Sequence, residues 1–96
     1  MSGSATPEYQ LLAIGIEQRW TAVESAAAQL QLARKSIEQS QENLRLNRNL
    51  YEAGTSSMTD LMQAQSQYQR VRNQLVSAFA TLQSSIYAYK VATSQQ

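Results

Sequence analysis

Glu38 and Glu42 stand four residues apart, a spacing that brings two carboxylates to one face of a helix, where paired-acid chemistry or a divalent-cation site could be built. Arg34, Lys35, Arg45 and Arg48 surround them, however, so exposed ion pairs account for both acids more simply. Two carboxylates without a third converging ligand hold a cation weakly. The chain contains no Cys and no His, which removes thiol chemistry, disulfides, the commonest zinc ligands and the commonest general bases together. The residues therefore imply no catalytic group, no metal and no cofactor, and an enzyme is the function class they fit least. Trp20, Tyr51, Tyr68, Tyr87 and Tyr89 fall at helical spacings, which is the pattern of packing aromatics. Tyr51 stands apart because it lies beside a turn, where a hydroxyl can reach polar groups of another chain.

The elements that must position these residues are two long helices. Apolar residues recur every seven positions at Ile16, Val23, Leu30, Ile37 and Leu44, reaching Tyr51, and again at Leu61, Tyr68, Leu75, Leu82 and Tyr89. A sevenfold repeat marks a helix held against a partner along a narrow seam, because two turns return a side chain to nearly the same face. Between the two series, Gly54 stops the first helix through a left-handed conformation, and Ser57 with Asp60 starts the second as a variant capping box. A short loop makes the arms antiparallel neighbours. Partners whose numbers sum to 112 then stack Tyr51 on Leu61, Leu44 on Tyr68, Ile37 on Leu75, Leu30 on Leu82 and Val23 on Tyr89. The expected fold is all-α, a long antiparallel two-helix coiled-coil hairpin. Its divisions are a leader at 1–6, helix at 7–53, a tip at 54–56, helix at 57–93 and a frayed end at 94–96.

Thr6-Pro7-Glu8 reads as the first helix start, with Thr6 capping and Pro7 in the first turn. Met1-Ser-Gly-Ser-Ala looks like an added leader, expected to be disordered. The net charge of +1, with basic and acidic residues interspersed, gives no electrostatic reason for a nucleic-acid partner. No apolar run approaches the length that spans a bilayer, and no secretory leader is evident.

Three residues beyond the seam positions stand Ala26, Ala33 and Ser40 on the first arm, and Ala64, Val71, Ala78, Ser85 and Ala92 on the second. Small side chains there let the arms approach closely. A second apolar set, Leu32, Leu46 and Leu50 with Val76, Phe79 and Ile86, lies off this stripe. Two helices cannot bury both sets, so the hairpin is expected to self-associate through a lateral seam or to stand as one stave in a larger helical wall. The rest of the surface is mostly neutral amide and hydroxyl, with 14 Gln and 12 Ser. That composition suits solubility, or the lining of an aqueous passage.

The ordered set Glu42-Asn43-Leu44-x-Leu46, Tyr51-x-Ala53-Gly54-Thr55 and Asp60-Leu61-x-x-Ala64-Gln65, inside paired heptads, resembles the hairpin of the TolC family of outer-membrane efflux channels. Trp20 and the ending Tyr87-x-Tyr89-Lys90-x-Ala92 fit as well. The resemblance covers nearly everything after residue 10 and implies one repeat's hairpin, the second repeat better than the first. In that family a homotrimer forms an outer-membrane β-barrel continued by a periplasmic tunnel of helical hairpins, used in multidrug efflux and type I secretion. A periplasmic adaptor, which links the channel to an inner-membrane pump, meets the hairpin turns. By position, Gly54, Thr55 and Ser56 would form the adaptor-facing tip, and Tyr51 and Asp60 would belong to the gate. The best-known members carry Arg where this chain has Ser56, so a constriction here would rest on Tyr51 and neutral hydrogen bonds. The implied location is the periplasmic part of a Gram-negative outer-membrane protein.

Two rivals share the helical pattern. A small secreted hairpin of the WXG100 type has similar length, but its turn should contain Trp-x-Gly, and Trp20 lies far from the turn. A generic coiled-coil oligomerisation module explains the heptads and leaves the ordered turn residues unexplained.

Overall fold

The computed structural model describes residues 8–94, so the leader, the Thr6-Pro7 helix start and the last two residues lie outside it. Helix α1 runs Glu8–Glu52 and helix α2 runs Met58–Ser94, with no strand among the described residues. Their 45 and 37 residues make rods about 68 and 56 Å long at 1.5 Å per residue. Residues 53–57 connect them, a longer link than the 54–56 tip read from the sequence. The difference is a matter of caps: Ala53 and Ser57 are the half-in flanking residues of the two helices.

The arms are antiparallel. Ile16 lies across a groove from Val91, Ser40 across another from Val71, and Leu44 across a third from Tyr68, so partners climb α1 as they descend α2. Leu44 and Tyr68 obey the predicted numbering relation, whereas the ring that Tyr89 meets is that of Trp20, three residues before the Val23 expected opposite it. Near the open end the Trp20 and Tyr89 rings meet with centroids 5.2 Å apart and planes tilted by 53°. Tilted aromatic contact of this kind adds about 0.5–1.5 kcal/mol beyond area burial.

Burial explains why the arms lie so close. The deepest side chains are small: Ala64, Ala26 and Ser40 retain 3%, 4% and 4% of their exposure, against 7% for Leu30 and Leu61. Val71 completes the buried set, while Val23, Ile37, Leu44, Tyr68, Leu75, Leu82 and Tyr89 are half-buried along the seam. Backbones therefore come nearest at the Ala and Ser layers, and the larger residues flank that contact. The Ser40 hydroxyl donates to the Ile37 carbonyl at 3.1 Å, so the one buried polar side chain among the described residues has its hydrogen bond.

Most of the second apolar set faces outward. Leu32 and Val76 are 65% and 63% exposed, and Leu46, Leu50 and Phe79 are exposed as well. Ile86 differs: it is half-buried, not exposed with the others. It stands one turn before Tyr89, whose ring meets Trp20 across the arms.

Gly15 sits in the interior of α1, where glycine weakens a helix. A Cβ built there would meet only Arg19 Nη1 at 3.5 Å, an ordinary contact with a flexible tip. Gly15→Ala is therefore expected to stabilise the hairpin by about 0.5–1 kcal/mol, measured as a raised midpoint in a denaturant melt. A lowered midpoint would show that close backbone approach by a partner, not local freedom, sets this residue.

Candidate functional site: the hairpin tip

The tip is built by two caps facing each other. Gly54 has φ of +78°, the only positive φ among the described residues. Its N–H donates to the Tyr51 carbonyl at 3.0 Å and the Thr55 N–H donates to the Leu50 carbonyl at 2.9 Å. This pair of bonds is a Schellman motif, which satisfies carbonyls left over at a helix end and requires a left-handed residue at the position Gly54 occupies. Thr55 adds a side-chain bond, its hydroxyl donating to the same Leu50 carbonyl at 3.0 Å. A backbone bond from the Ala53 N–H to the Asn49 carbonyl at 3.0 Å carries the helix into the turn.

On the other side, Ser57 Oγ accepts from the Asp60 N–H at 3.2 Å, the capping bond expected from the sequence. The Asp60 carboxylate does not complete the box by reaching back to the cap backbone. It accepts from the Ser56 hydroxyl at 3.3 Å, so the acid at the positive end of α2 also ties down the loop. Ser57→Ala is expected to cost about 1 kcal/mol of hairpin stability, since it frees the Asp60 N–H at a helix start. A denaturant melt within error of the parent would show that the Ser56–Asp60 link suffices alone.

The structure brings the predicted tip and gate residues into one solvent-facing cluster. Gly54, Thr55 and Asp60 are exposed, Ser56 is half-buried by its bond to Asp60, and Tyr51 is 40% exposed on the last turn of α1. Leu50, Met58 and Met62 surround this polar loop with exposed apolar side chains. Sequence reading passed over the methionines and the Ser56–Asp60 link. The four-residue spacing from Ser56 to Asp60 was the available signal for the second.

Glu38 and Glu42, the pair that opens the chemical question, line one open groove with Gln41, Arg45, Arg48 and Tyr68. Arg45 Nε donates to Glu42 Oε2 at 3.0 Å. That hydrogen bond first, and the guanidinium charge second, hold the Glu42 carboxyl below its usual range. A lowered acid pKa in the folded state means that the pair supports the helix above the ordinary carboxylate range and loses that support on acidification. Both side chains are well exposed, so the contribution is small. Among the described residues no group of three His, Cys, Asp or Glu converges on a metal position.

A family model described as outer membrane efflux protein matches residues 8–89, both arms and the whole tip between them. The chain belongs to the outer membrane efflux protein family. No curated protein and no solved structure matches it. Membership sets the channel reading above the secreted-hairpin alternative. None of the described helices is long and apolar enough to cross a membrane.

Proposed function

We propose that this hairpin forms part of the periplasmic helical tunnel of a TolC-like outer-membrane efflux channel, with its tip received by a periplasmic adaptor protein. The observation that carries this reading is the doubly capped, solvent-facing turn at the end of two long arms, in a chain the efflux family covers from residue 8 to residue 89. A turn fixed by its own caps presents Gly54, Thr55 and Ser56 in one conformation, so a partner need not order them on binding. Leu50, Met58 and Met62 supply apolar contact around that polar centre.

The gate reading falls on Tyr51 and Asp60. Tyr51 offers a partly exposed phenol at the end of α1, and Asp60 offers an exposed carboxylate already held toward the loop by Ser56. Between subunits of a homotrimer these groups can meet across a constriction through neutral or singly charged hydrogen bonds. Opening then consists of arms repacking against their neighbours, biased by adaptor binding at the tip, with the inner-membrane pump coupled through the adaptor. Function on this reading is packing and not catalysis.

The test is Gly54→Val in a channel carrying this hairpin, read as drug susceptibility of the host cell. Increased susceptibility with normal channel abundance and trimer assembly is expected, because the strained turn misplaces Thr55 and Ser56. Unchanged resistance would remove the tip from the adaptor contact.

A further inference from the structure

Among the described residues, all the sulfur stands at the bend. The sequence holds no cysteine and three methionines, of which Met1 lies outside the described residues and Met58 and Met62 belong to the first two turns of α2. Four residues apart, the two share one helix face. That face is left open: Met58 and Met62 are 53% and 56% exposed, while Leu61 and Ala64 on the same stretch are buried against α1. Met62 lines an open groove with Thr59, Gln63 and Ser66. Methionine belongs to the residue types most often found inside, so two bare ones beside a capped turn form a rim that the seam does not use. A thioether is apolar, and it is also readily oxidised. With thiols absent, a mild oxidant finds these sulfurs before indole or phenol rings, and the sulfoxide it leaves is polar.

We propose that Met58 and Met62 are a reversible oxidation site, at which hypochlorous acid turns the apolar rim of the tip polar and releases a docked adaptor. The sulfur lone pair attacks chlorine and expels hydroxide. Water then adds to the chlorosulfonium sulfur, chloride leaves and the added water loses its protons. In sum sulfur gives two electrons to chlorine, which departs as chloride, and one proton is released. A dithiol reductant reverses the change, carrying the oxygen away as water while it closes to a disulfide. Because neither side chain lies in the seam, the helices stay paired while the rim changes. About half of each side chain remains for a partner to cover, so each sulfoxide is expected to weaken docking about three- to tenfold. Linkage runs both ways: a docked partner shields the sulfurs, and the free tip is the form that is oxidised.

The effect on docking rests on the tip reading proposed above; the oxidation itself does not. The first measurement therefore uses this chain alone. Treated with limiting hypochlorite and mapped by peptide mass spectrometry, it is expected to gain one oxygen at Met58 and one at Met62 before any change at Trp20 or Tyr51. Its far-UV circular dichroism should not change, and methionine sulfoxide reductases should remove both oxygens. Ring oxidation ahead of the two sulfurs, or loss of helix on their oxidation, overturns the site. The second measurement uses a channel carrying this hairpin, in cells exposed briefly to hypochlorite and then scored for drug resistance. Resistance is expected to fall several-fold. A channel with Met58→Leu and Met62→Leu, apolar but without these sulfurs, should keep after treatment the resistance it had before. An equal fall in the leucine channel overturns the switch, and so does a leucine channel with no resistance at the outset, because the proposal rests on apolarity. Met58→Gln with Met62→Gln, polar without any oxidant, should be susceptible untreated at normal channel abundance. If that channel stays resistant while Gly54→Val does not, the switch fails and the docking tip stands; if both stay resistant, the tip reading has failed and takes the switch with it.

Discussion

Leu30→Ala is expected to destabilise the hairpin by about 2–3 kcal/mol, while Leu32→Ala, two residues away, changes an isolated hairpin by less than about 0.5 kcal/mol. The contrast follows from exposure alone. Leu30 retains 7% of its surface and faces α2, whereas Leu32 retains 65%. Removing the Leu30 side chain leaves a void between arms that can close only by moving whole helices, so both the transfer and the cavity penalties apply. The range stays near the lower end for a buried leucine because no large side chain in the described hairpin is sealed completely. Urea melts followed by far-UV circular dichroism, at concentrations low enough to keep the chain monomeric, read both numbers. Equal losses for the two substitutions would mean that the seam and the outer face are not distinguished in solution.

Gly54→Val is expected to cost about 2 kcal/mol, and Gly54→Asn clearly less, since left-handed backbone is penalised by about 1–2 kcal/mol for ordinary L-residues and tolerated by Asn. The site separates strain from crowding cleanly. A Cβ at Gly54 meets nothing within 4 Å, so the whole penalty comes from φ at +78° and none from a clash. The same melts measure it. If Asn proves as costly as Val, the left-handed turn is not what makes glycine necessary here.

The two arms and their antiparallel order were legible because they are repeated signals. A seven-residue period sampled many times along each helix outweighs any single residue, and the Gly54 stop and Ser57 cap are local chemistry that needs no tertiary context. The small residues that permit close approach were legible at Ala26, Ser40 and Ala64, but the order of burial was not. Sequence reading put the large apolar residues at the seam's centre, yet Ala26, Ser40 and Ala64 lie deepest, because interhelical distance is set by the smallest side chains at closest approach. Ile86 shows the same limit. Its period groups it with Phe79, but it stands one turn before Tyr89 on the edge of the seam and is half-buried, and how far the opposite arm covers such an edge depends on how two distant segments meet. At the tip, Ser57 capping followed from spacing, while the diversion of the Asp60 carboxylate to Ser56 depended on loop geometry that spacing does not specify.

The small side chains of the alanine and serine layers have a mechanical corollary. Dispersion attraction resists sliding in proportion to how far side chains interlock, and methyl-sized groups at Ala26 and Ala64 offer little to catch on. The arms are thus compliant to shear along their length while remaining stiff against being pulled apart, with the glycine-capped bend as the fixed pivot. Displacement introduced at one end of such a rod travels axially, arm past arm, without first unzipping it.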